Sequence, residues 1–100
     1  MKDREQYEQV CFEVISAAGS AKSYFLEAIE NAKMHESYAE LIEEGERAFY
    51  EAASSHQKAL QLEAEGNLDV GLLLIHAETI LSSAETIKDL SETIIALIDK

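Results

Sequence analysis

A chain of 100 residues with 47% hydrophobic content fits one folded domain and excludes a disordered polymer. Its 20 acidic against 8 basic side chains, a formal charge of -12 with no Lys/Arg cluster, exclude nucleic acid and anionic membrane as partners, because such polyanions are bound mainly by neutralising phosphate. A basic protein surface is the better match. Cys11 is the single cysteine, so no intrachain disulfide forms. The segment Met1 to Gln9 is charged and lacks the apolar core of a signal peptide, and Val70 to Ile75 is too short to span a bilayer. Direct membrane insertion is not expected, and the cytoplasm is the expected compartment.

With no proline and abundant Ala, Glu, Leu and Ile, the chain favours long helices. Tyr7, Cys11, Val14, Ala18, Ala21, Phe25, Ala28 and Ala32 recur every three or four residues and predict a first helix over Arg4–Lys33 with one apolar face. Gly19, inside it, predicts a close helix crossing. Ser37-Tyr38-Ala39-Glu40 has the form of a capping box and predicts the start of a second helix. The face of that helix reads Tyr38, Leu41/Ile42, Gly45, Ala48/Phe49, Ala52, His56, Ala59 and Leu62/Glu63, and it should stop at a left-handed Gly66. Gly66 to Leu68 reads as a turn, with Asp69 suited to the positive end of the next helix.

A third helix is expected over about Asp69–Asp99, with two seams. Leu73, Ala77, Ile80, Ala84, Ile87, Ser91, Ile94 and Ile98 should pack on the other two helices. Leu72, His76, Thr79, Ser83, Thr86, Leu90, Thr93 and Leu97 form a second stripe, about 100° around the cylinder. A three-helix monomer buries one broad stripe per helix, so the second implies association with further copies. The expected fold is all-α, with three long antiparallel helices per chain.

The three histidines differ in setting. His76 lies at the edge of both seams, where a neutral imidazole on a rigid helix beside a groove has the chemistry of a nucleophile or proton carrier near pH 7. The residue pattern alone nevertheless favours a structural role. His56, between Ala52 and Ala59 on the core stripe, is open to a hydrogen-bonded core position or to a supporting place near His76. His35 falls in the turn after the first helix and should be solvated. The residues three before each histidine are Ala32, Ala53 and Leu73, so the Glu-x-x-His spacing of a bundle metal site is absent. Cys11 has no basic neighbour and reads as a small core residue. Glu43-Glu44 and Glu63-Ala64-Glu65 read as solvated faces.

Phe12-Glu13-Val14-Ile15-Ser16-Ala17-Ala18-Gly19-Ser20-Ala21-Lys22-Ser23, Leu26-Glu27-Ala28, Glu51-Ala52-Ala53-Ser54-Ser55-His56, Glu63-Ala64-x-Gly66 and Leu72-Leu73-Leu74-Ile75-His76-Ala77 together make nearly the whole chain resemble one family. It is similar to the IIA components of the lactose/cellobiose class of the bacterial sugar phosphotransferase system. The resemblance implies a homotrimer with the third helices around the axis. It also implies that His76 is the catalytic phosphohistidine of a phosphotransferase. That residue would accept phosphate from the histidine phosphocarrier protein and pass it to a cysteine of a IIB component during uptake of lactose- or cellobiose-type β-glycosides.

After its active histidine the family reads Ala-Gln-Asp-His-Leu-Met, where this chain has Ala77-Glu78-Thr79-Ile80-Leu81-Ser82. The family's aspartate holds an axial metal ion; Thr79 stands in its place, and one hydroxyl per subunit is a poor ligand for magnesium, so no metal or other cofactor is expected. Ile80 replaces the second histidine of the motif, Ala53 replaces a histidine of the second helix, and His56 fills a glutamine position. His56 and Thr79 are the expected supporting residues of the His76 site. The rival expectation is a non-catalytic helical interaction or regulatory protein that keeps the fold, and a metal or cofactor carrier is a third.

Overall fold

Alanine on one face of a long helix lets a neighbour approach closely, and this chain uses that property throughout. The computed structural model describes residues 4–66 and 71–100. These form three antiparallel helices, α1 (Arg4–Lys33), α2 (Ala39–Ala64) and α3 (Leu72–Ile98). The bounds of α1 are those expected, and seven of its eight stripe residues, all but the half-buried Tyr7, are buried together with Val10. Ala18, Ala21, Ala28 and Ala32 of α1 are buried along the same rod as Gly45, Ala48, Ala52 and Ala59 of α2, with Phe25 the largest enclosed side chain.

Gly45, and not Gly19, marks the closest crossing. A Cβ added at Gly45 would stand 2.7 Å from Phe25 Cε1, whereas one at Gly19 would meet nothing within 4 Å. The expectation for Gly19 is corrected accordingly: it occupies the half-exposed side of α1, away from the Phe25 ring.

The joint between α1 and α2 is a Schellman turn. His35 N–H donates to Ala32 O at 3.0 Å and Glu36 N–H to Asn31 O at 2.8 Å, with His35 exposed in the left-handed region at φ 58°. The Ser37–Glu40 capping box does not form. Tyr38 is the N-cap of α2, without a side-chain capping bond, and its hydroxyl instead donates to the Asp99 carboxylate at the end of α3. Gly66 closes α2 in the left-handed region at φ 77°, as expected, donating its N–H to Glu63 O. The expected turn through Leu68 and the place of Asp69 fall outside the described residues.

The core seam of α3 is rotated from the expected one. Ala77, Ala84 and Ser91 are buried as expected, but Leu74 and Ile95 are buried where Leu73 and Ile94 were expected, and Ile94 is exposed. The reason is asymmetric packing. α3 lies chiefly against α1 and touches α2 much less, so its buried stripe centres on the α1 side. Likewise, Ser55 is buried on α2 at the level where His56 was expected, and its hydroxyl donates to Glu13 Oε2 at 3.1 Å. The molecule is a rod of 55 × 17 × 17 Å with a radius of gyration of 15.7 Å, longer than the about 13 Å of a compact globule of this length.

Candidate functional site around His76

The site is built at the start of α3. The N-cap, Gly71, has no side chain to offer as a cap. The acceptor comes from α1: Tyr7 Oη receives the Leu74 N–H at 3.1 Å, while Ile75 N–H returns to Gly71 O at 3.1 Å. Leu74 itself is buried among Val10, Cys11, Val14 and Ala77. Cys11 is fully enclosed, and burial pushes its thiol up from the usual range, partly offset by a hydrogen bond from Tyr7. It is a core residue, as expected.

His76 is the fifth residue of this helix and points outward with Leu72, Ile75 and Thr79. Its imidazole makes no hydrogen bond or ion pair with any described residue. Both ring nitrogens are therefore open to a partner approaching from outside. Thr79 shares this face, but its hydroxyl donates back to Ile75 O at 3.0 Å and does not reach His76. Ile80, one turn beyond His76, packs against the alanine-rich cluster of the core.

His56 is placed elsewhere. Its Nε2 lies 2.9 Å from Glu78 Oε2, so α2 is tied to α3 two residues after His76. Two residues are about 200° around a helix, and the His56–Glu78 pair thus faces away from the His76 imidazole. Of the three expected site residues, the structure brings His76 and Thr79 to one exposed face and joins His56 to a different side of the same helix. Tyr7, which secures the first turn of α3, was not singled out by spacing as a site residue, because it reads there as one more member of the α1 stripe.

On either side of His76, the outward face of α3 carries exposed leucines. Leu72 is 83% exposed, Leu90 51% and Leu97 65%, with Thr86 and Thr93 exposed between them. An open groove on the other side of the rod, between Phe12 and Ser16 of α1 and Tyr50 and Lys58 of α2, includes no α3 residue. No described helix is long and apolar enough to cross a membrane.

The chain matches the family model described as the lactose/cellobiose-specific IIA subunit of the phosphotransferase system over residues 9–99. It belongs to that IIA family. The lichenan-specific phosphotransferase enzyme IIA component of Bacillus subtilis (strain 168) is 34% identical, over 96% of this chain and 90% of the relative. The lactose-specific EIIA component of Staphylococcus aureus (strain N315) is 33% identical over 88% of each chain. Among solved structures, the crystal structure of the PTS cellobiose-specific enzyme IIA from Bacillus anthracis is similar with a TM-score of 0.85 and 32% identity, over 99% of this chain and 92% of that one. The IIA match extends from the first turns of α1 to the end of α3, so it includes both the α1 stripe and the segment carrying His76. At the coarse level this membership makes the chain a phosphotransferase component of sugar transport.

Proposed function

We propose that this IIA chain is a phosphocarrier that takes a phosphoryl group onto His76 from the histidine phosphocarrier protein and hands it to a cysteine of a IIB component, in uptake of lactose- or cellobiose-type β-glycosides. The observation that carries the reading is the exposure of the His76 imidazole on the outer face of α3, with no described residue occupying either nitrogen. In the first step an imidazole nitrogen attacks phosphorus in line, so an N–P bond forms as the donor's N–P bond breaks. In the second, the IIB thiolate forms an S–P bond as the His76 N–P bond breaks. Little covalent chemistry is required of the protein, and positioning supplies most of the catalysis. Both reactants are carried by proteins, which requires an outward imidazole.

The exposed leucines on the outer face of α3, from Leu72 to Leu97, support a homotrimer in which the three α3 helices pack together. Thr79 supports a trimer without an axial metal: its single hydroxyl is turned to Ile75 O and offers no carboxylate to a cation. The net charge of -12 suits basic docking surfaces and brief, fast encounters in the cytoplasm. We read residues 1–100 as one such domain.

A second reading, a non-catalytic regulatory IIA homologue, draws on Ile80, whose packing into the core leaves no polar side chain there to orient the imidazole. One measurement separates the two. Intact mass is recorded after incubation with phosphoenolpyruvate, enzyme I and the histidine phosphocarrier protein, for the wild type, His76→Ala and His56→Ala. An acid-labile gain of one phosphoryl group, lost only in His76→Ala, is expected; transfer that survives His76→Ala, or no gain in folded wild type, overturns the phosphocarrier reading.

A further inference from the structure

The first turn of α3 must hold His76 steady, yet among the described residues its own segment supplies little to hold it. Leu72 and Ile75 project outward, Gly71 contributes no capping side chain, and helix ends fray unless their free N–H groups find acceptors. The N–H that an N-cap Ser or Asp would normally take is that of the second or third helical residue. In α3 the third is Leu74, and its N–H goes to Tyr7 Oη at 3.1 Å, from a residue 67 positions away in the sequence.

Gly71 is matched to this arrangement. Its backbone is extended, at φ -133° and ψ 178°, a conformation open to any residue. The demand for glycine is therefore one of space: a Cβ there would stand 2.8 Å from Tyr7 Oη. Three groups from two distant segments thus converge on one capping contact, two residues before His76.

We propose that Tyr7 is a positioning residue for His76, serving as the N-cap of α3 from α1 and holding the first turn so that the imidazole meets the incoming phosphorus in line. This role rests on the phosphocarrier reading. Tyr7 does not touch the reacting atoms. It restricts the arc through which the His76 backbone can move, and in-line transfer between two proteins is sensitive to displacements on the order of 1 Å. Removing the hydroxyl frees the Leu74 N–H without removing the ring from its place between the helices.

The test uses the full chain as wild type, Tyr7→Phe, Gly71→Ala and the double variant. Amide hydrogen exchange at Leu74, Ile75 and His76 is followed beside Ala28 and Ala32 in the middle of the rod, and the rate of phosphoryl uptake from the phosphorylated histidine phosphocarrier protein is measured against donor concentration. For Tyr7→Phe we expect roughly tenfold faster exchange confined to the start of α3, and a kcat lowered about three- to tenfold with KM within about twofold, in line with the loss of one capping contact. Gly71→Ala should reproduce both changes in the wild-type background and add nothing to Tyr7→Phe, because the hydroxyl it displaces is already gone. An unchanged Leu74 amide in Tyr7→Phe overturns the capping role. Faster exchange with an unchanged kcat overturns positioning. Wild type that takes no phosphate overturns the phosphocarrier reading and the positioning role with it, while the exchange data still report whether Tyr7 caps α3.

Discussion

His56 Nε2 and Glu78 Oε2 meet at 2.9 Å across the α2–α3 boundary, the side of the bundle where the helices touch least. With the His56 side chain 20% exposed and that of Glu78 44% exposed, solvent screens much of the attraction. A double-mutant cycle of His56→Ala and Glu78→Ala, read by urea unfolding, should give a coupling of roughly 0.5 kcal/mol. Phosphoryl uptake should persist in both single variants. Strict additivity would show that the pair contributes nothing to joining the helices.

Glycine to alanine should have opposite signs at two positions. At Gly19 the added methyl meets nothing and the helix gains propensity, so Gly19→Ala should stabilise by about 0.5–1 kcal/mol. At Gly45 the methyl collides with the enclosed Phe25 ring, and overpacking of about 1–3 kcal/mol outweighs the propensity gain. Thermal unfolding of the two variants decides it: a Gly45→Ala protein as stable as Gly19→Ala would mean that the crossing is looser than described.

His35 occupies the left-handed position of the Schellman turn at φ 58°. A β-carbon there costs about 1–2 kcal/mol, of which the entropy that glycine loses on folding takes back a part. His35→Gly should therefore raise stability by about 0.5–1 kcal/mol and leave phosphoryl uptake unchanged, checked by the urea midpoint and the mass assay.

A charge on the outer face of α3 should disperse the assembly without unfolding the subunit. Leu90 is half exposed in the single chain, so Leu90→Glu removes no core contact yet places a carboxylate where other copies are proposed to pack. Sedimentation equilibrium should move from a trimer to a monomer mass, with the helical circular dichroism retained. A wild type that sediments as a monomer would contradict the proposed assembly outright.

The extent to which these features can be seen in the sequence follows from how local their causes are. The α1 stripe is written in side chains three and four apart, and both its bounds and its buried face were legible. The exposed second stripe of α3 was legible for the same reason. Features set by another helix were not. The seam of α3 turned towards Leu74 and Ile95 because α1 carries most of its packing, and Ser55 displaced His56 from the core because Glu13 on α1 offers it an acceptor. The capping box at Ser37 lost to the Schellman turn and to the Tyr38–Asp99 contact, both of which depend on where other residues arrive. Around His76 the position of the imidazole was legible, whereas the Tyr7 contact was not, since its two ends lie 67 residues apart.

The alanine and glycine lining between α1 and α2 constrains how this chain can diverge. In an interior filled by leucine and phenylalanine, drift usually trims side chains and leaves voids. Here Ala18, Ala21, Ala48 and Ala52 are already near the minimum size, so trimming removes almost nothing, and enlargement forces two helix axes apart over many turns at once. Substitutions that survive should therefore collect on the outer faces, where partners are chosen, and a set of homologues could change whom they meet while the spacing of the rod stays fixed.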